Sequence, residues 1–269
     1  MPNINLVAID LDGTLLDNDR KISPRAKDAI QRVRQEGVEV TLATGRMFAS
    51  AKPFADELGL NLPLITYQGA LVKISGTGEV LYERSVPARD ARQVIELTRK
   101  RGYPLNFYLD NFVFVENLTP QAKDYASRYN VTVQEIGDLS RIVDLEPIKL
   151  LVTDEDEEEL GVFEMECRRV FGSRLHITKS MPQYLEFMHP EATKARGLEA
   201  VAKYMGITPE EIMVIGDSYN DLEMLEYAGL AVVMGNAREE IKEAGDYITR
   251  ANDDDGVAEA LEKIILQER

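Results

Sequence analysis

At 269 residues the chain is long enough for one large domain or two modest ones with a buried core. Its 44% apolar and 29% charged composition belongs to a folded globular protein, and no apolar run approaches the roughly 20 residues of a membrane span. A net charge of -16 without a Lys/Arg cluster excludes nucleic acid as a partner. The single Cys167 rules out an internal disulfide or thiolate metal cluster, and two histidines, His176 and His189, leave no histidine-rich zinc site. The chain reads as having no signal peptide, so the expected location is the cytoplasm.

In chain order, Leu6–Ile9 reads as a buried strand. A helix follows with Ser23 as N-cap, Pro24 at its first position and Gly37 closing it. Glu39–Ala43 is a second strand, Phe48–Leu58 a second helix ended by Gly59, and residues 64–66 a third strand. Strands separated by helices of this length predict an α/β fold with a parallel sheet. The rhythm then changes. Residues 70–74 and 79–83 flank Ser75-Gly76-Thr77-Gly78 as a hairpin, and residues from about 84 to 188 read as an α+β unit. Its helices lie near 88–101, 121–129 and 156–171, and its strands near 105–109, 112–115, 148–153 and 184–188, with Asp110-Asn111 as a tight turn. Phe163, Cys167 and Val170 share one helical face, which makes Cys167 a core residue. The six acids 154–159 read as a solvated helix N-terminus favoured by the macrodipole.

The α/β pattern returns with a helix over 195–204 closed by Gly206, a capping-box spacing at Thr208–Glu211, strands at 213–215 and 230–234 each followed by a helix, and a last helix over 256–265. A continuous core over 1–83 and 189–269, interrupted by an inserted domain over 84–188, is the economical organisation.

Four segments carry chemistry. Asp10-Leu11-Asp12-Gly13-Thr14 follows the first strand, and extended alternation would put Asp10 and Asp12 on one side, within about 7 Å. Two carboxylates that close repel, and a divalent cation relieves the repulsion; a polar Asp-Gly turn is the other reading. Thr44-Gly45-Arg46 ends the second strand and opens a helix, which suits a phosphate cradle as well as an ordinary N-cap. Lys194 stands at a helix start, where the macrodipole disfavours a cation, so an anionic partner is expected. Gly216-Asp217-Ser218-Tyr219-Asn220-Asp221 sets oxygen ligands at another strand's carboxyl end, where open α/β sheets bind ligands.

With these motifs in this order, the chain resembles the haloacid dehalogenase superfamily, and within it the Cof-type branch of cap-bearing phosphatases, over essentially its whole length. The tail resembles the branch too, at Met234-Gly235-Asn236-Ala237 and from Asn252 to Asp255-Gly256-Val257. The resemblance implies a Rossmann-like parallel-sheet core with an inserted C2-type cap, Mg2+ as cofactor, and hydrolysis of a small phosphorylated metabolite through an aspartyl-phosphate. It implies Asp10 as nucleophile and Asp12 as general acid/base that also lends the metal its main-chain carbonyl. Thr44, Gly45, Lys194 and Asn220 are expected at the phosphate, with Leu11 beside them. Asp217 is expected with Asp10 and Asp12 at the metal, and Asp221 and Arg46 behind the contacting groups. Two departures stand out: Gln68-Gly69-Ala70 where the branch commonly has Asn-Gly-Ala, which bears on a side-chain contact near the cap hinge, and Ala195 where glycine commonly follows the lysine.

The cap is expected to be mobile and to set specificity. The partner is then a small metabolite, with no nucleic acid or membrane, and the protein a monomer or small homo-oligomer. A phosphomutase on the same scaffold would need a cap that excludes water. A dehalogenase has no use for Asp12, and a non-catalytic phosphometabolite-binding protein should have lost Asp10, Asp12 or Asp217.

Overall fold

The computed structural model describes residues 3–129 and 131–267. They fall into two compact units. The first comprises Met1–Arg46, Ala51–Tyr82 and Thr193–Arg269, and the second Met47–Ser50 and Glu83–Ala192.

The chain opens with β1 (Leu6–Ile9), α1 (Pro24–Gln35), β2 (Glu39–Leu42), α2 (Phe48–Glu57), β3 (Pro63–Thr66), β4 (Leu71–Ile74) and β5 (Val80–Glu83). Helix α1 starts as its sequence dictates. The Ser23 hydroxyl accepts from the Ala26 N–H, and Pro24 occupies a position whose N–H has no intrahelical acceptor. The second unit supplies α3 (Ala88–Arg101), β6 (Leu105–Leu109), β7 (Phe112–Val115), α4 (Pro120–Tyr129), β8 (Thr132–Glu135), β9 (Lys149–Thr153), α5 (Glu157–Phe171), β10 (His176–Met181) and β11 (Tyr184–Met188). The chain then returns through α6 (Lys194–Met205), β12 (Ile212–Gly216), α7 (Leu222–Tyr227), β13 (Leu230–Val233), α8 (Glu239–Lys242), β14 (Tyr247–Ile248) and α9 (Gly256–Ile264).

The first unit is built on a parallel sheet in the order β14-β13-β12-β1-β2. An isolated parallel bridge between Ala43 and Ile65 joins it to the antiparallel β3-β4-β5 sheet. Leu6, Val7, Ala8 and Ile9 are all fully buried, because in a parallel sheet both faces are covered by helices. Leu6 and Ala8 pack with Leu198 and Val201 of α6 and Met224 and Leu225 of α7. Central β1 has β12 on one side and β2 on the other, so the loops after these three strands open at the same edge.

The second unit is a six-stranded sheet in the order β10-β11-β9-β6-β7-β8, antiparallel except for the β7–β8 pair. Alternation sorts its residues. Leu105, Phe107, Leu150, Val152, Leu185 and Phe187 pack against Ala91, Val94 and Ile95 of α3 and Leu160, Phe163 and Cys167 of α5. The other register positions place Asn106, Tyr108, Lys149 and Glu186 on the opposite face, and all four are buried. There Lys149 Nζ lies 3.1 Å from Glu186 Oε1 and 4.8 Å from the centre of the Tyr108 ring, whose hydroxyl donates to Tyr125 at 2.5 Å.

Acids 154–159 do serve the start of α5: the Asp156 carboxylate accepts from the Glu158 and Glu159 N–H groups. Among the described residues, no helix is long and apolar enough to cross a membrane.

Candidate active site

The site assembles at the carboxyl ends of β1, β2 and β12 and the start of α6. Strand β1 ends at Ile9, and the Asp10 N–H still bonds the Ile215 carbonyl at 3.0 Å, so Asp10 is the first residue past the sheet. The chain then turns, with the Leu11 carbonyl accepting from Thr14 and Leu16 and the Asp10 carbonyl accepting from Leu15. Gly13 lies in this turn at φ +85°, and a Cβ there would stand 2.7 Å from Asp217 Oδ2. Only glycine meets both demands. The same turn is tied to the loop after β12 by the Thr14 hydroxyl, which donates to Asp217 Oδ1 at 2.8 Å. The Ser218 hydroxyl donates to Asp217 Oδ2 at 3.0 Å, so both Asp217 oxygens are oriented.

Lys194 is the first residue of α6, held there by Thr193, whose hydroxyl accepts from the Arg196 N–H. Its side chain is fully buried. Nζ donates to Asp10 Oδ1 at 2.5 Å and to Asp221 Oδ1 at 2.6 Å. The unfavourable place of a cation at a helix start is thus resolved by two carboxylates. The second Asp221 oxygen accepts from the Asp217 and Ser218 N–H groups at 3.0 and 2.9 Å.

Three carboxylates therefore face one ammonium in a buried place. Asp10, Asp217 and Asp221 each offer an oxygen within 4.8 Å of the others. Burial pushes the Asp10 carboxyl well above the usual carboxylate range. Lys194 opposes that shift, and Asp221 and Asp217 add to it. Asp217 is raised by burial and then by Asp221. Burial alone would lower Lys194, but Asp10 and Asp221 together hold it above an ordinary lysine. Unbalanced negative charge among hard oxygen donors fits a divalent cation of the Mg2+ or Ca2+ type. Asp221 already serves three N–H donors, which leaves Asp10 and Asp217 as the carboxylates with coordinating capacity.

Asp12 stands apart from this group. The two aspartates are not on extended strand, because β1 has already ended. Asp12 is exposed, and its carboxylate takes the fork of Arg46, with Nε 2.7 Å from Oδ2 and Nη2 2.5 Å from Oδ1. Arg46 in turn lies 5.0 Å over the Phe54 ring. Thr44 is buried and its hydroxyl accepts from the Arg46 N–H, while the Leu11 side chain is buried in the core. Asn220 is exposed at the other side, and its Nδ2 donates to Gln68 Oε1 at 2.8 Å. Gln68, where the resembling branch commonly has asparagine, therefore lies inside the site of the first unit. Thr14 and Ser218 are further residues the sequence reading left without a role. Their small hydroxyls beside aspartates in two motifs were the available signal.

The chain matches the family of haloacid dehalogenase-like hydrolases over residues 7–261. It is 34% identical to a 5-amino-6-(5-phospho-D-ribitylamino)uracil phosphatase of Bacillus subtilis, over 98% of this chain and 97% of that one. It is 29% identical to an HMP-PP phosphatase of Cronobacter sakazakii, over 86% of this chain and 84% of that one. The crystal structure of a haloacid dehalogenase-like hydrolase from Bacteroides thetaiotaomicron superposes with a TM-score of 0.90 at 32% identity, covering 97% of this chain and 99% of that chain.

Proposed function

Because the chain belongs to the haloacid dehalogenase-like hydrolases, we propose that it is a Mg2+-dependent phosphatase of small phosphorylated metabolites that works through an aspartyl-phosphate on Asp10. The observation that carries this reading is the buried Lys194 between Asp10 and Asp221, with Asp217 alongside, at the carboxyl ends of parallel strands.

The Asp10 and Asp217 carboxylates, with the Asp12 main-chain carbonyl, would hold Mg2+, which would supply neutralising charge to phosphoryl oxygens. Lys194 neutralises the same region from the protein side and holds Asp10 in one orientation. Asp10 attacks phosphorus and the alcohol leaves. Asp12 gives that alcohol its proton and then takes one from the water that hydrolyses the intermediate. Arg46 grips both oxygens of the ionised Asp12 carboxylate and so sets where it waits, and one of those oxygens has to be released for Asp12 to carry the proton that the alcohol takes. The Thr44 hydroxyl, the Gly45 N–H and the Asn220 amide serve the phosphate. This local cationic and N–H environment attracts an anionic substrate despite the net charge of -16.

The substrate is a sugar phosphate or a phosphorylated cofactor or flavin precursor; the differing substrates named for the relatives support the class and no single member of it. Recognition of the non-phosphate part falls to the inserted stretch, residues 84–188, whose sheet has a polar face with Asn106, Tyr108, Lys149 and Glu186. Substitutions on that face are expected to alter KM and substrate ranking far more than p-nitrophenyl phosphate turnover, in a screen of phosphorylated metabolites ranked by kcat/KM. Mass spectrometry after a rapid quench tests the mechanism. Phosphate on the Asp10 peptide supports it, and phosphate on a serine or histidine peptide overturns it.

A further inference from the structure

The turn after β3 has a backbone that its sequence does not explain. Tyr67 and Gln68 both lie in the left-handed region, at φ 52° and 58°, and neither is glycine or asparagine. Such a conformation persists only where surrounding contacts impose it, and it is found disproportionately at functional sites. Here the contacts converge on the phosphate loop. The Tyr67 N–H donates to the Arg46 carbonyl at 2.9 Å, and the Gln68 N–H donates to the Thr44 carbonyl at 3.1 Å. The Gln68 side chain is buried against Gly45, where a Cβ would run into its amide. The far end of that amide accepts from Asn220 Nδ2 at 2.8 Å. One residue thus spans from the end of β2 to the loop after β12, two segments more than 150 positions apart in sequence that both carry expected phosphate donors.

We propose that Gln68 is a positioning residue that fixes the spacing and orientation between the Thr44–Gly45 donors and the Asn220 amide, so that both reach one phosphoryl group together. By accepting one Nδ2 hydrogen of Asn220, Gln68 leaves the other free and prevents the amide from turning over. By occupying the space over Gly45, it holds that N–H at a set distance from Asn220. This inference rests on the phosphatase reading of the site.

The test compares wild type, Gln68→Gly, Gln68→Asn, Asn220→Ala and the double variant Gln68→Gly/Asn220→Ala. Glycine accepts the left-handed backbone, so Gln68→Gly removes the amide without adding strain. Its melting temperature is expected to stay at or above that of wild type. The readouts are KM and kcat on p-nitrophenyl phosphate and inhibition by inorganic phosphate. Gln68→Gly and Asn220→Ala are each expected to raise KM and the phosphate inhibition constant about tenfold, with a smaller change in kcat, as loss of an oriented hydrogen-bond donor does. Gln68→Asn is expected to recover part of the loss. The double variant is expected to be no worse than Asn220→Ala alone, because the two residues act as one unit. An active wild type with a Gln68→Gly variant of unchanged KM and phosphate inhibition overturns the inference alone. So does a double variant whose loss is the product of the two single losses. A wild type that neither hydrolyses the probe nor binds phosphate overturns the function reading itself. Should Gln68→Gly fail to fold, the turn is structural and Gln68→Asn decides: wild-type phosphate inhibition in that folded variant also sinks the inference.

Discussion

Each of the two units buries a lysine, and the two are not alike. Lys194 in the first unit sits between Asp10 and Asp221, with Asp217 nearby. Lys149 in the second sits against Glu186 and the face of Tyr108. The first arrangement carries more negative than positive charge when all its carboxyls are ionised, an imbalance that a bound cation or a proton on one carboxyl relieves. The second is a charge-balanced pair across neighbouring sheet positions. Burying either has a desolvation cost that its internal attraction at best offsets. Burial of charge is therefore not by itself a mark of catalysis. The mark is burial with the balance left open, at a place where the fold presents strand ends.

That contrast can be broken or sharpened experimentally. Asp10→Asn should give the largest effect, a loss of at least about a thousandfold in kcat on p-nitrophenyl phosphate with the fold retained by circular dichroism. Residual activity near wild type would mean that the open charge balance has no catalytic purpose. Removal of metal should come next. Chelation is expected to lower the rate at least about a hundredfold and Mg2+ to restore it, since neutralising phosphoryl charge contributes several kcal/mol. Full activity of the stripped enzyme would refute the metal assignment.

Lys149→Met addresses the balanced pair. It strands Glu186 in a buried place and should cost about 3–5 kcal/mol of stability in a denaturant titration, with Lys149→Met/Glu186→Gln recovering most of that. A neutral single variant would show that water reaches the pair. In the first unit the sign should reverse. Asp217→Asn removes surplus negative charge, so the metal-free variant should melt about 2–4 °C higher than metal-free wild type and lose its Mg2+-induced shift. Smallest is the effect expected at Cys167, buried without a compensating charge. Burial, and secondarily Glu166, push its thiol up to about 12, so it stays neutral at pH 8. It should resist a disulfide reagent in the native state and react on unfolding; rapid native labelling would contradict its place in the core.

Most of the first unit could be read from the sequence because its signals are local. Four fully apolar residues followed by Asp10, Ser23 before Pro24, and a lysine at a helix start each carry a physical meaning within a few positions. Asp217 and Asp221 lie together in one loop, so their spacing was visible as well. Three strands escaped, β8, β10 and β14, and each lies at the edge of its sheet. An edge strand is half-solvated and loses the apolar pattern by which strands are recognised. In β8 three of four residues are exposed, and β14 has only two residues. The Asp12–Arg46 fork, the Lys149–Glu186 pair and the reach of Gln68 to Asn220 depend on residues brought together by the folded sheet, which no spacing reveals. Gln68 gave no sign of its left-handed backbone either, since glutamine is not a residue that favours it.

The pairing of β1 with β12 has a consequence for how the molecule is made. Residues 6–9 and 212–215 are neighbours in the sheet yet lie about two hundred positions apart in the chain. On a ribosome adding about 5–20 residues per second, β1, already paired with β2, waits on the order of ten to forty seconds for its other partner, β12. During that interval the apolar edge of β1 is open to any other extended chain. The intervening residues of the second unit have their own core and can fold meanwhile. Final closure of the parallel sheet is a long-range step, slow by its topology, and the same step brings Lys194 and Asp217 to Asp10. Newly made protein should therefore gain its hydrolytic competence and its resistance to aggregation at the same moment.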